Sequence, residues 1–186
     1  MDKGAEQYRR FLAGDESGLY EIIRLYKDGL ILYINSIVSD MHAAEEIAED
    51  TFVKIFLKRP GFIRSGSFKT WLYTVGKHLA LDRLRRMKRN PTLSLEEISQ
   101  QADSSAEIEK AYIRQEQQAI LYRALGRLKQ EYRQVLWLTY FDGFSHKEAA
   151  VILKKTTHGV DTLAYRAKMA LKKELEKEDF AYEEFG

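Results

Sequence analysis

The sequence predicts an all-α protein made of two small helical domains joined by a flexible acidic linker, the second domain containing a helix-turn-helix. Three observations predict it. Apolar residues recur at helical spacing from Ala5 to Lys58 and again from Phe68 to Leu79. Asn90-Pro91 then breaks the pattern, because proline disfavours helix in the residue before it, and the stretch that follows is polar and acidic. Finally, a turn, a capping box, a short helix, a second turn and a longer helix succeed one another between Phe141 and Glu178. These breaks place the first domain at residues 1–90, the linker at 91–117, the second domain at 118–178 and a tail at 179–186.

Three helices are expected in residues 5–58, separated near Gly14-Asp15-Glu16-Ser17 and Ser39-Asp40-Met41-His42. The third, from about Ala43 to Lys58, buries Ile47, Phe52, Ile55 and Phe56. It carries Glu45, Glu46, Glu49 and Asp50 in its first two turns, where acids suit the positive end of the helix dipole. Those acids are either a solvated face or a surface that docks a basic protein. Pro60 to Gly66 reads as a loop, and Phe62, Ile63 and Arg64 are sticky residues for a connector, suited to a pocket for an extruded base.

The fourth helix, GSFKTWLYTVGKHLALDRLRRMKR, is the centre of the chain. Ser67 can cap it. Phe68, Trp71, Leu72, Val75 and Leu79 share a core-facing side, with Tyr73, Lys77, Leu81 and Leu84 roughly opposite. Residues 58–89 hold ten Lys or Arg and one acid, Asp82, a patch that the chain's formal net charge of +2 conceals. Such a patch can neutralise several phosphates. Aromatic rings beside it offer stacking worth ~1–3 kcal/mol per base, a pairing that favours single-stranded or distorted DNA over a plain solvated face.

In the second domain one helix runs through about Leu128 and another over Gln130 to Phe141. Ser145 and Glu148 form a capping box in SHKE, a short helix continues through Leu153, and residues 154–157 turn into a helix from about His158 to Glu178. Helix, short turn and longer helix is the geometry that lays a second helix in the major groove. Arg166, Lys168, Lys172 and Lys173 suit that use, and the acidic aromatic tail EKEDFAYEEFG is expected to fray.

Composition excludes other classes. There is no Cys, hence no disulfide framework and no thiolate metal site. No metal-ligand spacing, phosphate-cradling glycine loop, HExxH or nucleophile elbow occurs, so no cofactor and no enzymatic activity are expected. The N-terminal stretch has no apolar secretory core, and the longest apolar run, Gly29 to Ile34, falls far short of the ~20 residues of a membrane helix. A soluble, cytoplasmic protein without membrane insertion is expected.

These residues carry a resemblance over nearly the whole chain. AAEEIAEDTFVKIF followed by GSFKTWLYTVGKHLALDRLRR, and later LKQEYRQVLWLTYFDGFSHKEAAVIL, are similar in order and spacing to the motifs of the bacterial extracytoplasmic-function sigma factors, group IV of the sigma-70 family. Members of that family direct RNA polymerase to promoters. The resemblance implies that Glu45, Glu46, Glu49, Asp50, Thr51, Phe52, Lys54 and Ile55 bind core polymerase, whose beta-prime clamp and beta flap would be the contacts. It assigns the minus-ten element, read as single strand, to the loop residues Phe62, Ile63, Arg64 and Ser65 and to Phe68, Lys69, Tyr73, Lys77, His78, Arg85 and Arg86. The minus-thirty-five duplex falls to Lys147, Thr156, Thr157, His158, Asp161, Thr162, Tyr165, Arg166 and Lys168. An anti-sigma factor, membrane-anchored or soluble, is the further partner implied. The competing reading is a helix-turn-helix regulator that binds duplex DNA without polymerase.

Three residues depart from the family's pattern. His78 stands where Asn is usual, and Asp161 and Leu163 occupy recognition-helix positions often held by Lys or Arg. Aspartate near phosphate is unfavourable unless it accepts from a cytosine amino group, so weak or unusual minus-thirty-five readout is expected.

Overall fold

The computed structural model describes residues 2–58, 67–89 and 116–177, with side chains from residue 119 onward in the last segment. The loop residues Phe62, Ile63, Arg64 and Ser65, expected to read the minus-ten element, lie outside these residues, as do residues 91–115 of the linker and the tail. Every regular element among the described residues is helical.

Helix α1 (Lys3–Leu12) begins at Asp2, whose carboxylate accepts from the Ala5 amide. Helix α2 (Ser17–Val38) follows a turn in which Arg10 holds Asp15. Helix α3 (Met41–Lys58) starts two residues before the expected Ala43, since Asp40 accepts from the Ala43 amide and so caps the earlier start. Helix α4 (Phe68–Arg89) starts after Ser67, whose hydroxyl oxygen accepts from the Thr70 amide, the cap expected from sequence.

Helix α2 is the spine of the first unit, with α1, α3 and α4 packed around it. Ile22, Leu30 and Ile34 of α2, Ile47 and Ile55 of α3 and Leu72 of α4 are all buried there. Gly76 lets α4 approach closely, because a Cβ at that position would lie 3.0 Å from Leu30 Cδ1.

The second unit comprises α5 (Glu116–Gly126), α6 (Gln130–Leu136), α7 (His146–Leu153) and α8 (Thr157–Glu176). Sequence periodicity predicts one continuous helix to Phe141, but the final turn, Trp137–Phe141, is widened into a π-helix in which the Asp142 amide donates to the Trp137 carbonyl. Helix α7 has both halves of the Ser145–Glu148 capping box. It stops at Lys154, which adopts the left-handed conformation at φ 55°. Thr156 caps α8 by accepting from the Gly159 amide. Val160, Ala164 and Ala167 turn α8 inward among Val135, Leu138 and Ile152.

The two units touch: α7 lies against α4, and α6 against α2. Arg133 ties the latter pair by donating to the Ser36 carbonyl and the Ser39 hydroxyl, and the Gln130 amide donates to the Ile37 carbonyl.

Candidate nucleic-acid interface

Helix α3 divides its expected polymerase residues between two sides. Glu46, Glu49, Asp50 and Lys54 are exposed and Glu45 is half-buried, while Thr51, Phe52 and Ile55 are buried in the first unit's core. The Thr51 hydroxyl donates to the Ile47 carbonyl, so its polar atom is used within the helix. These three residues set the pose of α3 and cannot themselves present surface. Glu46 is shared with His42 at 3.5 Å and with Arg83 of α4 at 3.6 Å, joining the acidic face to the basic helix.

Helix α4 departs further from expectation. Phe68, expected to line a base pocket, is fully buried, with ring centroids of Tyr8, Trp71 and Tyr26 at 5.3, 5.5 and 5.9 Å. A Cβ at Gly4 would come within 2.5 Å of its ring, so α1 closes directly over it. Phe68 is a core residue because its side chain points to α1 and α2, on the same side as Leu72.

Tyr73 and Lys77 lie on the opposite side, yet they are only 1% and 8% exposed. Helix α7 covers Lys77, while Tyr73 lies between Phe144 of the turn before α7 and Tyr33 of α2, whose ring stacks on it at 5.3 Å. The Tyr73 ring meets Phe144 edge-on at 4.9 Å, and its hydroxyl donates to Asp142 Oδ1 at 3.1 Å. Lys69 donates to the Asp142 carbonyl at 2.5 Å and sits 4.4 Å above the Phe144 ring. Lys77 donates to the Ile152 carbonyl at 3.0 Å, and Ser67 to Glu148 at 3.2 Å.

Burial pushes the Lys77 ammonium below the ordinary lysine range, with Lys154 and Lys155 acting in the same direction. His78 is exposed but likewise lowered, by partial burial first and then by Lys154 and Lys77. Burial raises the Asp142 carboxyl against the opposing pull of Lys69 and Tyr73. The phenol of Tyr73 is pushed well up, by burial first and then by Asp142. Arg85 and Arg86 remain exposed beyond the covered part of α4, with Arg85 paired to Asp82.

The helix-turn-helix keeps its outer side open. Lys147, Thr156, Thr157, His158, Asp161, Tyr165 and Arg166 are exposed, and Thr162 and Lys168 are half-buried. Thr156 spends its oxygen on the helix cap. Asp161 is paired with His146 of α7, so its carboxylate bridges the two helices. Lys168 lies 5.9 Å over the Tyr140 ring. Arg166 is among the exposed residues of α8.

Gly29, Arg133, Asp142 and Glu148 lie between the units, and the sequence marks none of them as a contact. Asp142 and Glu148 were legible only as turn and cap residues, because nothing local in FDGFSHKE says that a second domain lies beside it.

Residues 22–90 match the family model for Sigma-70 region 2, and residues 118–171 match that for Sigma-70, region 4. Among curated proteins the chain is 28% identical over 170 residues to the ECF RNA polymerase sigma factor SigW of Bacillus subtilis, covering 87% of this chain and 91% of that protein. It is 25% identical over 184 residues to the RNA polymerase sigma-H factor of Pseudomonas aeruginosa, covering 95% of each. In solved structures the fold is similar to the sigma factor RpoE of Bartonella quintana, seen in complex with the anti-sigma factor NepR, with a TM-score of 0.66, 21% identity and coverage of 84% and 96%. It is also similar to CnrH, seen with the cytosolic domain of CnrY, with a TM-score of 0.64, 21% identity and coverage of 95% and 97%.

Proposed function

Because this chain belongs to the sigma-70 family, as an extracytoplasmic-function sigma factor that directs promoter-specific transcription, we propose how its two units divide that work. The first unit, residues 1–90, binds core RNA polymerase and captures the minus-ten element; the second, residues 118–178, reads the minus-thirty-five duplex. The observation that carries this reading is the presence of region 2 and region 4 in one chain, in that order. A regulator acting on duplex DNA alone would need only the second.

Polymerase binding falls to the outer side of α3, where Glu45, Glu46, Glu49, Asp50 and Lys54 are carried on a helix fixed by Thr51, Phe52 and Ile55. Such a charged rim sets association rate and orientation more than total affinity. The beta-prime clamp is its partner, and the beta flap holds the second unit.

Minus-ten capture uses Lys69, Tyr73, Lys77, His78, Arg85 and Arg86 with the loop residues Phe62 to Ser65. A flipped base costs a few kcal/mol to extrude from duplex and much less from an open strand. Stacking and phosphate contacts on the nontemplate strand therefore stabilise melted promoter without any covalent step. Minus-thirty-five readout uses the N-terminal half of α8, with Thr157, His158, Thr162 and Tyr165 toward bases and Arg166 and Lys168 toward phosphates.

An anti-sigma factor, membrane-anchored or soluble, is the remaining partner. No helix among the described residues is long and apolar enough to cross a membrane; our reading places the chain in group IV of the family, acting on polymerase in the cytoplasm. The test is run-off transcription from a cognate promoter with core polymerase, with and without this protein. Specific transcripts only in its presence are expected; sequence-specific duplex binding with no dependence on polymerase would favour the regulator instead.

A further inference from the structure

Asp161 stands on the exposed stripe of α8 that also carries Thr157 and Tyr165, one helical neighbour to either side. A carboxylate there opposes the phosphates that line a DNA groove. The structure gives it a partner from the other helix of the motif. His146 is the first residue of α7, directly after the Ser145 cap, and the reciprocal bonds between Ser145 and Glu148 fix its backbone. Its ring meets Asp161 Oδ1 through Nδ1. A carboxylate only accepts, so the proton of this bond is carried on Nδ1.

The His146 and Asp161 side chains are 42% and 52% exposed, open enough for a duplex lying on α8 to reach. No Lys or Arg is paired with Asp161 among the described residues. Nor is the pair needed to hold the two helices together, since α7 packs directly on α8 and buries Ala149 and Ile152 on one side and Val160 and Ala164 on the other.

We propose that His146 sets the stringency of minus-thirty-five readout by competing with a DNA base for the Asp161 carboxylate. The proposal rests on the reading of α8 as the helix that faces that element. Where the base pair offers an amino donor, as cytosine does, Asp161 exchanges His146 for the base, and the gain is only the difference between two hydrogen bonds. Where it offers none, Asp161 stays on His146 and is spared an unpartnered charge beside phosphate. Both effects shrink the free-energy gap between right and wrong base, and that gap is the specificity. His146 is thus a specificity-determining residue that acts through Asp161 and makes readout tolerant at this position.

The test uses holoenzyme assembled from core polymerase and the full-length chain, which selects from a pool of random-sequence DNA duplexes that are then sequenced. The parent chain is compared with His146→Ala, His146→Asn, Asp161→Ala, the His146→Ala/Asp161→Ala double variant and Arg166→Ala, with circular dichroism to verify folding. Asp161→Ala is expected to flatten the preference at one position of the selected sequence. His146→Ala should sharpen the preference for cytosine at that same position by roughly two- to fivefold, the worth of an exposed ion pair. His146→Asn, whose amide nitrogen stands close to where Nδ1 does, should stay near the parent, a rescue that a merely structural role would not require. In the Asp161→Ala background, removing His146 should change nothing further.

An unchanged or weaker preference in His146→Ala, or an equal change with Asp161 already absent, overturns the proposal. Arg166→Ala scores the underlying reading separately. Selection that survives it and every other variant unaltered would refute α8 as the minus-thirty-five reader, whereas selection that it weakens, with His146 of no effect, would refute only the competition.

Discussion

The ammonium of Lys77 on α4 donates to the carbonyl of Ile152, 3.0 Å away in the last turn of α7. A cation there meets the negative end of a helix dipole, which offsets part of the cost of burying it. The same ammonium is a candidate for promoter contact, a role it can take only by leaving the Ile152 carbonyl.

Lys77→Ala is therefore predicted to impair open-complex formation more on a fully paired promoter than on one with a mismatched bubble. Losing a contact to the extruded strand matters when extrusion costs a few kcal/mol and much less when the strand is already open. Phe62→Ala is expected to behave alike. Permanganate reactivity and transcript yield on the two templates measure it, and equal loss on both would sink strand capture.

Reversing charge at Glu49 and Asp50 is predicted to weaken binding to core polymerase while leaving helicity intact, since both lie exposed on α3. The loss should lie mainly in the association rate and shrink at high salt. Stopped-flow binding to core at two ionic strengths would show it; a double variant that associates as fast as the parent chain removes α3 from the polymerase interface.

Phe68→Ala is predicted to cost about 3–5 kcal/mol of stability, as large aromatic truncations in a packed core do. The ring is enclosed by Tyr8, Tyr26 and Trp71, so the damage should appear in denaturant unfolding. An unfolding midpoint like that of the parent chain would contradict the buried placement.

What was legible in the sequence was whatever a local pattern dictates. Ser67 and Ser145 with Glu148 cap helices where their spacing said they would. The inward side of α4 at Phe68 and Leu72 follows from its period. Its other side did not, because Lys77 meets Ile152 and Tyr73 meets Phe144, residues far along the chain, and a side that reads as solvent-facing carries no mark of a distant partner. The π-turn after Leu136 was hidden for a related reason: QEYRQVLWLTYF has sound helical periodicity, and the widened hydrogen bond from Asp142 to Trp137 shows only in three dimensions. Asp161, a departure from the resembled pattern, gains a partner in His146 that spacing alone did not supply.

In the helix-turn-helix the two charges are predicted to act differently. Lys168→Ala should weaken binding to all duplexes similarly and reduce the salt slope by about one. Asp161→Ala should alter preference at a single base pair by ~1–3 kcal/mol if the carboxylate leaves His146 for a cytosine amino group. Binding titrations over a set of singly substituted minus-thirty-five duplexes separate them. Unchanged preference after Asp161→Ala would limit that residue to joining α7 and α8.

The last prediction concerns acid. The ring of His78 is held below its ordinary value of 6.5, through partial burial first and then Lys154, Lys77 and Lys54, with Asp82 opposing. Of these groups only Lys154 belongs to the second unit, so separating the units should lift part of the depression. A depressed histidine favours contact between the units fully above its ordinary value, and that contribution is lost as pH falls from there through the lowered one. Asp142 has the opposite sign: its raised carboxyl favours contact between the units fully below its ordinary value of 3.8, and that contribution is lost as pH rises through the raised one. His78→Asn isolates the first effect, because it removes the titrating ring and leaves Asp142 in place. Energy transfer between labels at Tyr20→Cys and Val151→Cys, followed from about pH 8 to about pH 5.5, should fall in the parent chain relative to His78→Asn. Superimposable curves for the two proteins would show that His78 titrates without feeling the second unit.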